Sequence, residues 1–270
     1  MTLPPVPETF YWTEAPCGIV LRCLPLDAIA PNLFTTRQVA IAFPAGQRAV
    51  AAAVGAASLV MLRQVHGRAA VAVRRGDPAP PDDAEGDVLV SEDPDRAIAV
   101  RAADCVPILL ADSRSGAVAA VHAGWRGTAA GAAGAAVDAL RREFGAAPEN
   151  LVAAIGPSIG PCCYEVGSSV VDAFAAAGHG RDLIDRWFQS PPAAQGRFDS
   201  AFAKVRPSIR LDLPGANRDQ LLLAGLVESN VHQSGLCTAM NVDVLTSYRV
   251  EKERAGRLAG VIRAASRSRG

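Results

Sequence analysis

Seven short β-suited runs crowd residues 59 to 155, and they constrain the fold more than any other feature of the chain. They fall at 59–65, 69–73, 87–90, 96–100, 106–111, 117–121 and 151–155, separated by charged or glycine-containing turns such as 112-DSRSG-116 and by a Pro- and Asp-rich loop over 76–85. Runs this short and this closely spaced are expected to be neighbours in one sheet. Helical segments follow. The spacing predicts a helix over 128–144, with Thr128 as its N-cap and Arg141 and Arg142 near its C-terminal end. Further helices are expected over 165–177 and over 212–229, where Pro214 lies near the start and Leu221, Leu222, Gly225 and Leu226 recur at helical spacing. The segment 156-GPSIGP-161 reads as a stiff loop, 191-PPAAQGRFD-199 as another loop, and 237–250 and 257–262 as closing strands or turns.

No linker, repeat or low-complexity tract divides the chain. The expectation is therefore one α/β (α+β) domain over residues 1–270, layered, with mixed β-sheets flanked by helices. No Gly-x-Gly-x-x-Gly follows a predicted strand, which leaves a dinucleotide-binding fold without support.

Composition narrows the function. Half of the residues are hydrophobic and 27 basic residues balance 27 acidic ones, which excludes disorder. The same balance removes the electrostatic attraction on which general nucleic-acid and anionic-membrane binders depend, so a small-molecule partner is expected. The N-terminal MTLPPVPETFYW lacks the basic and apolar regions of a secretory signal, and no apolar run reaches membrane-spanning length. A cytoplasmic chain is expected, in which Cys17, Cys23, Cys105, Cys162, Cys163 and Cys237 are reduced.

Three segments place a metal-capable side chain at the end of a predicted strand beside small residues: 64-QVHG-67, 103-ADC-105 and 122-HAGWRG-127. His66, Cys105 and His122 together supply two imidazoles and a thiolate, a set that suits tetrahedral zinc with its fourth position open. Taken singly, each histidine is equally explained as an ordinary hydrogen-bonded residue. Gly67, Gly124 and Gly127 around them allow the close backbone approach that a shared site needs.

These segments, with 103-ADCVPILLAD-112, 121-VHAGWRGTAAG-131, 155-IGPSIGPCCYEVG-167, 211-LDLPGANRDQLLLAGL-226, 237-CT-238 and 247-SYRVEKERAGRLAGVI-262, resemble the YfiH/LACC1 family. Its members are described as laccase-domain proteins, polyphenol oxidases, purine nucleoside phosphorylases and peptidoglycan editing factors. The resemblance covers residues 59–262 or so. It implies a fold like that of the CNF1/YfiH group and a zinc ion held by His66, Cys105 and His122. It also implies phosphorolysis of adenosine, inosine, guanosine and methylthioadenosine, with adenosine deamination as a secondary activity. The chain departs from the family after 35-TTR-37, where a glycine-rich stretch is replaced by QVAIAFPAGQRAV and the segment before QVHG is shortened. Substrate range is expected to differ if that stretch forms part of the pocket rim.

Phosphorolysis needs a phosphate beside the anomeric carbon. Arg37 and Arg126 are the candidate phosphate contacts because a guanidinium offers a bidentate fork, and Arg126 precedes the predicted helix; a surface salt bridge explains either residue equally. Asp104 is placed with Cys105, His122 and Arg126 in the catalytic set, orienting a ligand, carrying a proton or capping a turn. Cys162, Cys163 and Glu165 either line the pocket, with Glu165 as general acid, or serve packing and helix charge. His179 and His232 fall in predicted exposed turns or a helix end and receive no role.

Two rival chemistries bear on the same residues. Copper oxidase centres need more imidazoles than four histidines supply, and the chain has no His-x-His pair, so copper is disfavoured. A cysteine hydrolase or amidase acting on a cytosolic peptidoglycan precursor would use Cys105 as nucleophile and His122 or His66 as base. The common zinc deaminase pattern of His-x-Glu with a later Pro-Cys-x-x-Cys is absent.

Overall fold

The apolar runs are continuous rather than alternating because both faces of their sheets are covered. The computed structural model describes residues 2–189 and 209–265. Its first sheet orders the strands Phe10–Ala15, Gly18–Cys23, Asn32–Thr35, Leu258–Arg263, Arg96–Ala102 and Ser58–Val60, antiparallel except for the last pair. Its second orders Val231–Gln233, Leu151–Ile155, Val106–Asp112, Val118–Ala123, Val88–Ser91 and Ala70–Val73, with the outermost pair at each edge parallel.

Successive residues of each strand serve different cores, as the two-residue period of a strand requires. Leu21, Phe34, Ile98 and Ile262 of the first sheet meet Leu89, Leu109 and Ala120 of the second in a core between the sheets. Their chain neighbours Val20, Leu33, Ala97 and Val261 face outward and pack under Val50 and Val54 of the helix Pro44–Ala53 and the residue after it. On the far side of the second sheet, Val88, Ile108, Leu110 and Val121 pack against Ala133, Val137 and Leu140 of the helix Ala132–Phe144, with Ala216 and Leu221 of the helix Leu213–Leu223 joining the same core. The result is four layers, helix, sheet, sheet and helices, in which abundant alanine lets the layers approach closely. A small third sheet pairs Glu165–Val166 and Phe188–Gln189 with Ile209–Leu211.

Several expectations are corrected. The runs at 96–100 and at 106–111 are not in one sheet: Asp104, at φ +83°, turns the chain between them, so that it leaves the first sheet at Ala102 and enters the second at Val106. The predicted strand over 59–65 stops at Val60, leaving only a bridge between Arg63 and Glu85 beyond it. The predicted helix over 128–144 is two helices, Trp125–Ala129 and Ala132–Phe144, broken at Gly131, whose φ of +83° is left-handed backbone that suits glycine. Thr128 is therefore no N-cap, and Arg126 lies within a helix rather than before it. Thr128 is buried, its hydroxyl accepting from Asn217 Nδ2 at 2.9 Å. The helix expected from 165 begins at Ser168, and the one expected to reach 229 ends at Leu223. The segment 237–250 holds two short helical turns, while the strand expected at 257–262 is present as Leu258–Arg263. His232 lies in the strand Val231–Gln233, and His179 packs its half-buried ring against Phe174 and Trp187 while bonding the Ala129 carbonyl at 2.9 Å. The loop expected over 191–199 lies outside the described residues.

Candidate metal centre and its two cavities

Strand register brings the three predicted ligands together. Pro107 pairs with His122 and Val106 with Ala123, so Cys105 at the mouth of one strand stands beside Gly124 at the end of its neighbour. Val88 pairs with Val121 on the other side, which sets Asp87 next to His122; the His122 N–H donates to the Asp87 carbonyl at 2.8 Å. The carboxylate of Asp87, 1% exposed, then performs two tasks. One oxygen lies 2.7 Å from His122 Nδ1, fixing the ring and leaving Nε2 as its free donor atom. The same carboxylate accepts the backbone N–H groups of Val65, His66 and Gly67 at 3.2, 3.0 and 2.6 Å. These bonds hold His66 at φ +60°, a conformation that costs a non-glycine residue energy unless its surroundings enforce it.

The donor atoms of His66, Cys105 and His122 lie within 4.8 Å of one another, and the two imidazole rings meet edge to face with centroids 4.9 Å apart. A side chain at position 124 would spoil the cluster. A Cβ there would stand 2.9 Å from Cys105 Sγ and 3.0 Å from His66 Cδ2, so the space that the ligands share depends on Gly124. Burial opposes a thiolate at Cys105, but hydrogen bonds from His122 and His66 outweigh it and bring the thiol down to about 7. Burial likewise opposes charge on His122, and Asp87 and Cys105 overcome it, raising the imidazole to about 9. Asp87 is held below the usual carboxylate range: burial disfavours its charge, but bonds from His122 and from the Gly67 and His66 N–H groups prevail. Two imidazoles, a thiolate and a carboxylate behind one imidazole form a donor set that fits a divalent metal with an open position.

Two cavities meet at this cluster, one of about 580 Å³ and one of about 440 Å³, sharing His66, Ala103, Cys105 and Tyr248. Arg63, Arg101 and Arg257 line the larger, and Arg126, Arg249 and Lys252 the smaller. Of these six cations only Arg63 is ion-paired among the described residues, with Glu85. Arg126 lies over the Trp125 ring at 4.3 Å and Arg249 over Tyr164 at 5.3 Å, which orients both guanidinium groups without neutralising them.

The remaining expected residues are placed as follows. Asp104 stands beside the cluster, but both of its carboxylate oxygens are engaged, accepting from Thr238 Oγ1 and from the Arg249 N–H, each at 2.6 Å. Arg37 lines neither cavity. Its guanidinium donates to the Val242 carbonyl and to Glu251 Oε1, the latter at 2.9 Å. Glu251 in turn accepts from Thr246 Oγ1 and the Ser247 N–H, fixing the turn that carries Tyr248 and Arg249 to the cavities. Glu165, Cys162 and Cys163 line neither cavity, whereas Tyr164 lines the smaller. None of residues 38–50, the departing segment, lines either one. Sequence reasoning missed Asp87, Arg101, Tyr248 and Arg249. For Asp87 a signal was present, an acidic residue directly before the apolar run VLV, where a buried carboxylate requires partners.

The chain is similar to known proteins over most of its length. Residues 44–265 match the family described as multi-copper polyphenol oxidoreductase laccase. The chain is 34% identical over 172 residues to a protein of Bacteroides thetaiotaomicron named purine nucleoside phosphorylase, a match covering 64% of this chain and 58% of that one. It is 38% identical over 186 residues to adenosine deaminase RL5 of an unknown prokaryotic organism, covering 67% and 65%. The matched part thus spans less than two thirds of either relative. A solved structure of the Bacillus licheniformis hypothetical protein YfiH superposes with a TM-score of 0.79 at 26% identity, covering 96% of this chain and all of that one.

Proposed function

The chain belongs to the multi-copper polyphenol oxidoreductase laccase family, the group its YfiH/LACC1-like motifs point to, and from that premise we propose that it is a zinc-dependent purine nucleoside phosphorylase. The observation that carries the reading is the meeting of two cavities at a His-Cys-His cluster, with five cations around it that form no ion pair among the described residues and outnumber the one carboxylate in the lining, Asp104. Uncompensated arginines converging on a pocket favour an anionic ligand. Relatives named purine nucleoside phosphorylase and adenosine deaminase support the same reading.

In this reading phosphate sits in the smaller cavity between Arg126, Arg249 and Lys252, and the nucleoside occupies the larger, with Tyr248 at the junction. An oxygen of hydrogen phosphate bonds to the anomeric carbon as the bond from that carbon to the purine nitrogen breaks; the purine leaves with the electron pair and takes up the proton that the hydrogen phosphate gives up. The residues that would hold zinc are His66, Cys105 and His122, and when bound the ion supplies Lewis acidity where the cavities meet. Asp87 holds the His122 tautomer, Asp104 ties the Cys105 turn to Thr238 and Arg249, and Arg37 acts through Glu251 on the same turn. Adenosine, inosine, guanosine and methylthioadenosine are the proposed substrates, with adenosine deamination as a side activity. Copper oxidase chemistry has little to build on, since two of the four histidines lie away from the cluster.

One observation favours a second reading. A half-buried thiol lowered to about 7 beside an imidazole is also the arrangement of a cysteine nucleophile, as an amidase acting on a peptidoglycan precursor would need. The deciding experiment incubates the purified chain with adenosine, with and without phosphate, separates adenine from inosine, and measures bound metal in the same sample. Phosphate-dependent adenine release that a chelator abolishes is the expected result. No base release from a zinc-loaded sample would overturn the phosphorylase reading, and chelator-resistant amide cleavage would establish the second.

A further inference from the structure

Outside the site just described, one cluster of metal-capable side chains remains without a task among the described residues. Cys162, Cys163 and Cys237 bring their sulfurs within 4.8 Å of one another, with Cys162 Sγ and Cys163 Sγ 3.4 Å apart. They come from two segments distant in sequence, and the fold joins them deliberately. Ser158 bridges to Cys237 in parallel fashion, the Thr238 N–H donates to the Ser158 carbonyl at 3.0 Å, and the Cys163 N–H donates to the Gly160 carbonyl at 3.0 Å. We propose that these three thiols form a second metal site, selective for a soft closed-shell cation, with Cu(I) the preferred ion.

The donor chemistry carries the argument. A metal–sulfur bond of about 2.3 Å places sulfurs around a shared ion about 4 Å apart, and here all three lie within 4.8 Å of one another with one pair at 3.4 Å. No histidine or carboxylate joins the set among the described residues, and an all-thiolate set selects soft ions over hard ones. Three sulfurs complete the coordination of Cu(I), whereas zinc would need a further ligand such as water. Such an ion has a filled d shell and three sulfur donors, so it is unrelated to the imidazole-rich centres of copper oxidases.

The surroundings fit a thiolate site. The Gly160 N–H donates to Cys237 Sγ at 3.3 Å. Three thiols so close cannot ionise together unless a cation compensates them, and the guanidinium of Arg210, 2.7 Å from the Cys162 carbonyl, supplies part of that positive charge. Cys162 is exposed, giving an incoming ion access, while Cys237 is buried.

The test uses the full chain, reduced under anaerobic conditions, with the first site filled by zinc. Cu(I) is then titrated against a chromophoric Cu(I) chelator, and Zn(II) against a zinc chelator in a parallel arm. The expected result is one additional Cu(I) per chain, a thiolate-to-copper charge-transfer band, and X-ray absorption showing sulfur neighbours only. Cys162→Ser, which touches an exposed side chain and should leave the melting temperature in place, is expected to weaken that uptake by about 100-fold. Cys237→Ser should act alike, and Cys17→Ser should leave uptake unchanged. Zinc uptake at the same sulfurs would sustain the site while replacing the preferred ion. Absence of uptake of either ion beyond the first site, or uptake indifferent to Cys162 and Cys237, would overturn the proposal.

Discussion

His66, Cys105 and His122 are held by strand register and a buried carboxylate, whereas Cys162, Cys163 and Cys237 are carried by loops and turns, Cys162 exposed and Cys237 buried. Both triads bring three ligand atoms within 4.8 Å, so proximity does not distinguish them. The support behind the ligands does. In the first triad Asp87 orients a ring, fixes a left-handed loop and shares a strand boundary, so the geometry exists before any ion or substrate arrives. In the second, the backbone N–H of Gly160 at Cys237 is the principal hydrogen bond to a sulfur, and the exposed Cys162 adjusts to what it binds. A preorganised cluster between two cavities suits the turnover proposed for the first triad; a softer, sulfur-only cluster suits the holding proposed for the second.

The sharpest way to break this contrast is to delete a ligand from each triad. Cys105→Ala or His122→Ala should remove the first metal and lower phosphorolysis by about 10³-fold or more, because a bound metal contributes several kcal/mol to such reactions. Metal analysis and kcat on the same preparation check it, and an active metal-free variant would contradict it. Asp87→Asn probes the support instead of the ligands. One of its oxygens becomes an N–H₂ donor facing backbone N–H groups or His122, so metal affinity is expected to fall about 10- to 100-fold. Stability should fall by about 2 kcal/mol as buried donors lose their acceptor, read as a lower denaturation midpoint.

The unequal support also explains what was legible in the sequence. The grouping of His66, Cys105 and His122 was legible only jointly: each residue alone has an ordinary structural explanation, and it is the three at strand ends, with Gly67, Gly124 and Gly127 flanking the histidines, that suggested the cluster whose donor atoms lie within 4.8 Å. The layers were harder. Strands buried on both faces lose the alternation that marks one-sided burial, so 96–100 and 106–111 read as partners although Asp104 sends them to different sheets. Gly131 and Thr128 show the same limit. A break in an alanine-rich helix leaves the pattern on either side intact, so one helix was expected where two exist. Arg249 and Tyr248 were invisible as site residues because they reach the cavities through Asp104 and Glu251, contacts that span 145 residues in one case and lie within a turn in the other.

Smaller effects separate the two cavities. Arg126→Ala should raise the KM for phosphate about 10- to 100-fold, the worth of one charged hydrogen-bonding contact, while leaving the nucleoside KM near its original value. Equal loss for both substrates would mean that Arg126 supports the whole site rather than the phosphate alone.

A matched pair of glycine substitutions gives the finest comparison, because each adds one methyl group beside a triad. At Gly124 the new Cβ would lie 2.9 Å from Cys105 Sγ, closer than such atoms approach, and the sulfur's position is fixed by register on one side and by the imidazoles on the other. Relief must come from the ligands, so Gly124→Ala should lower metal affinity at the first triad by about tenfold, with global stability less affected. At Gly160 the nearest atoms would be Cys237 Cβ at 3.4 Å and Cys162 Sγ at 3.5 Å, ordinary contacts. The backbone N–H that serves Cys237 survives the change, so Gly160→Ala should alter stability by no more than about 0.5 kcal/mol and leave the first metal in place. Isothermal titration and thermal melting on the two variants read both effects. The reverse pattern, a tolerant Gly124 and an intolerant Gly160, would place the rigid cluster at the cysteines and undo the division between a preorganised site and an adaptable one.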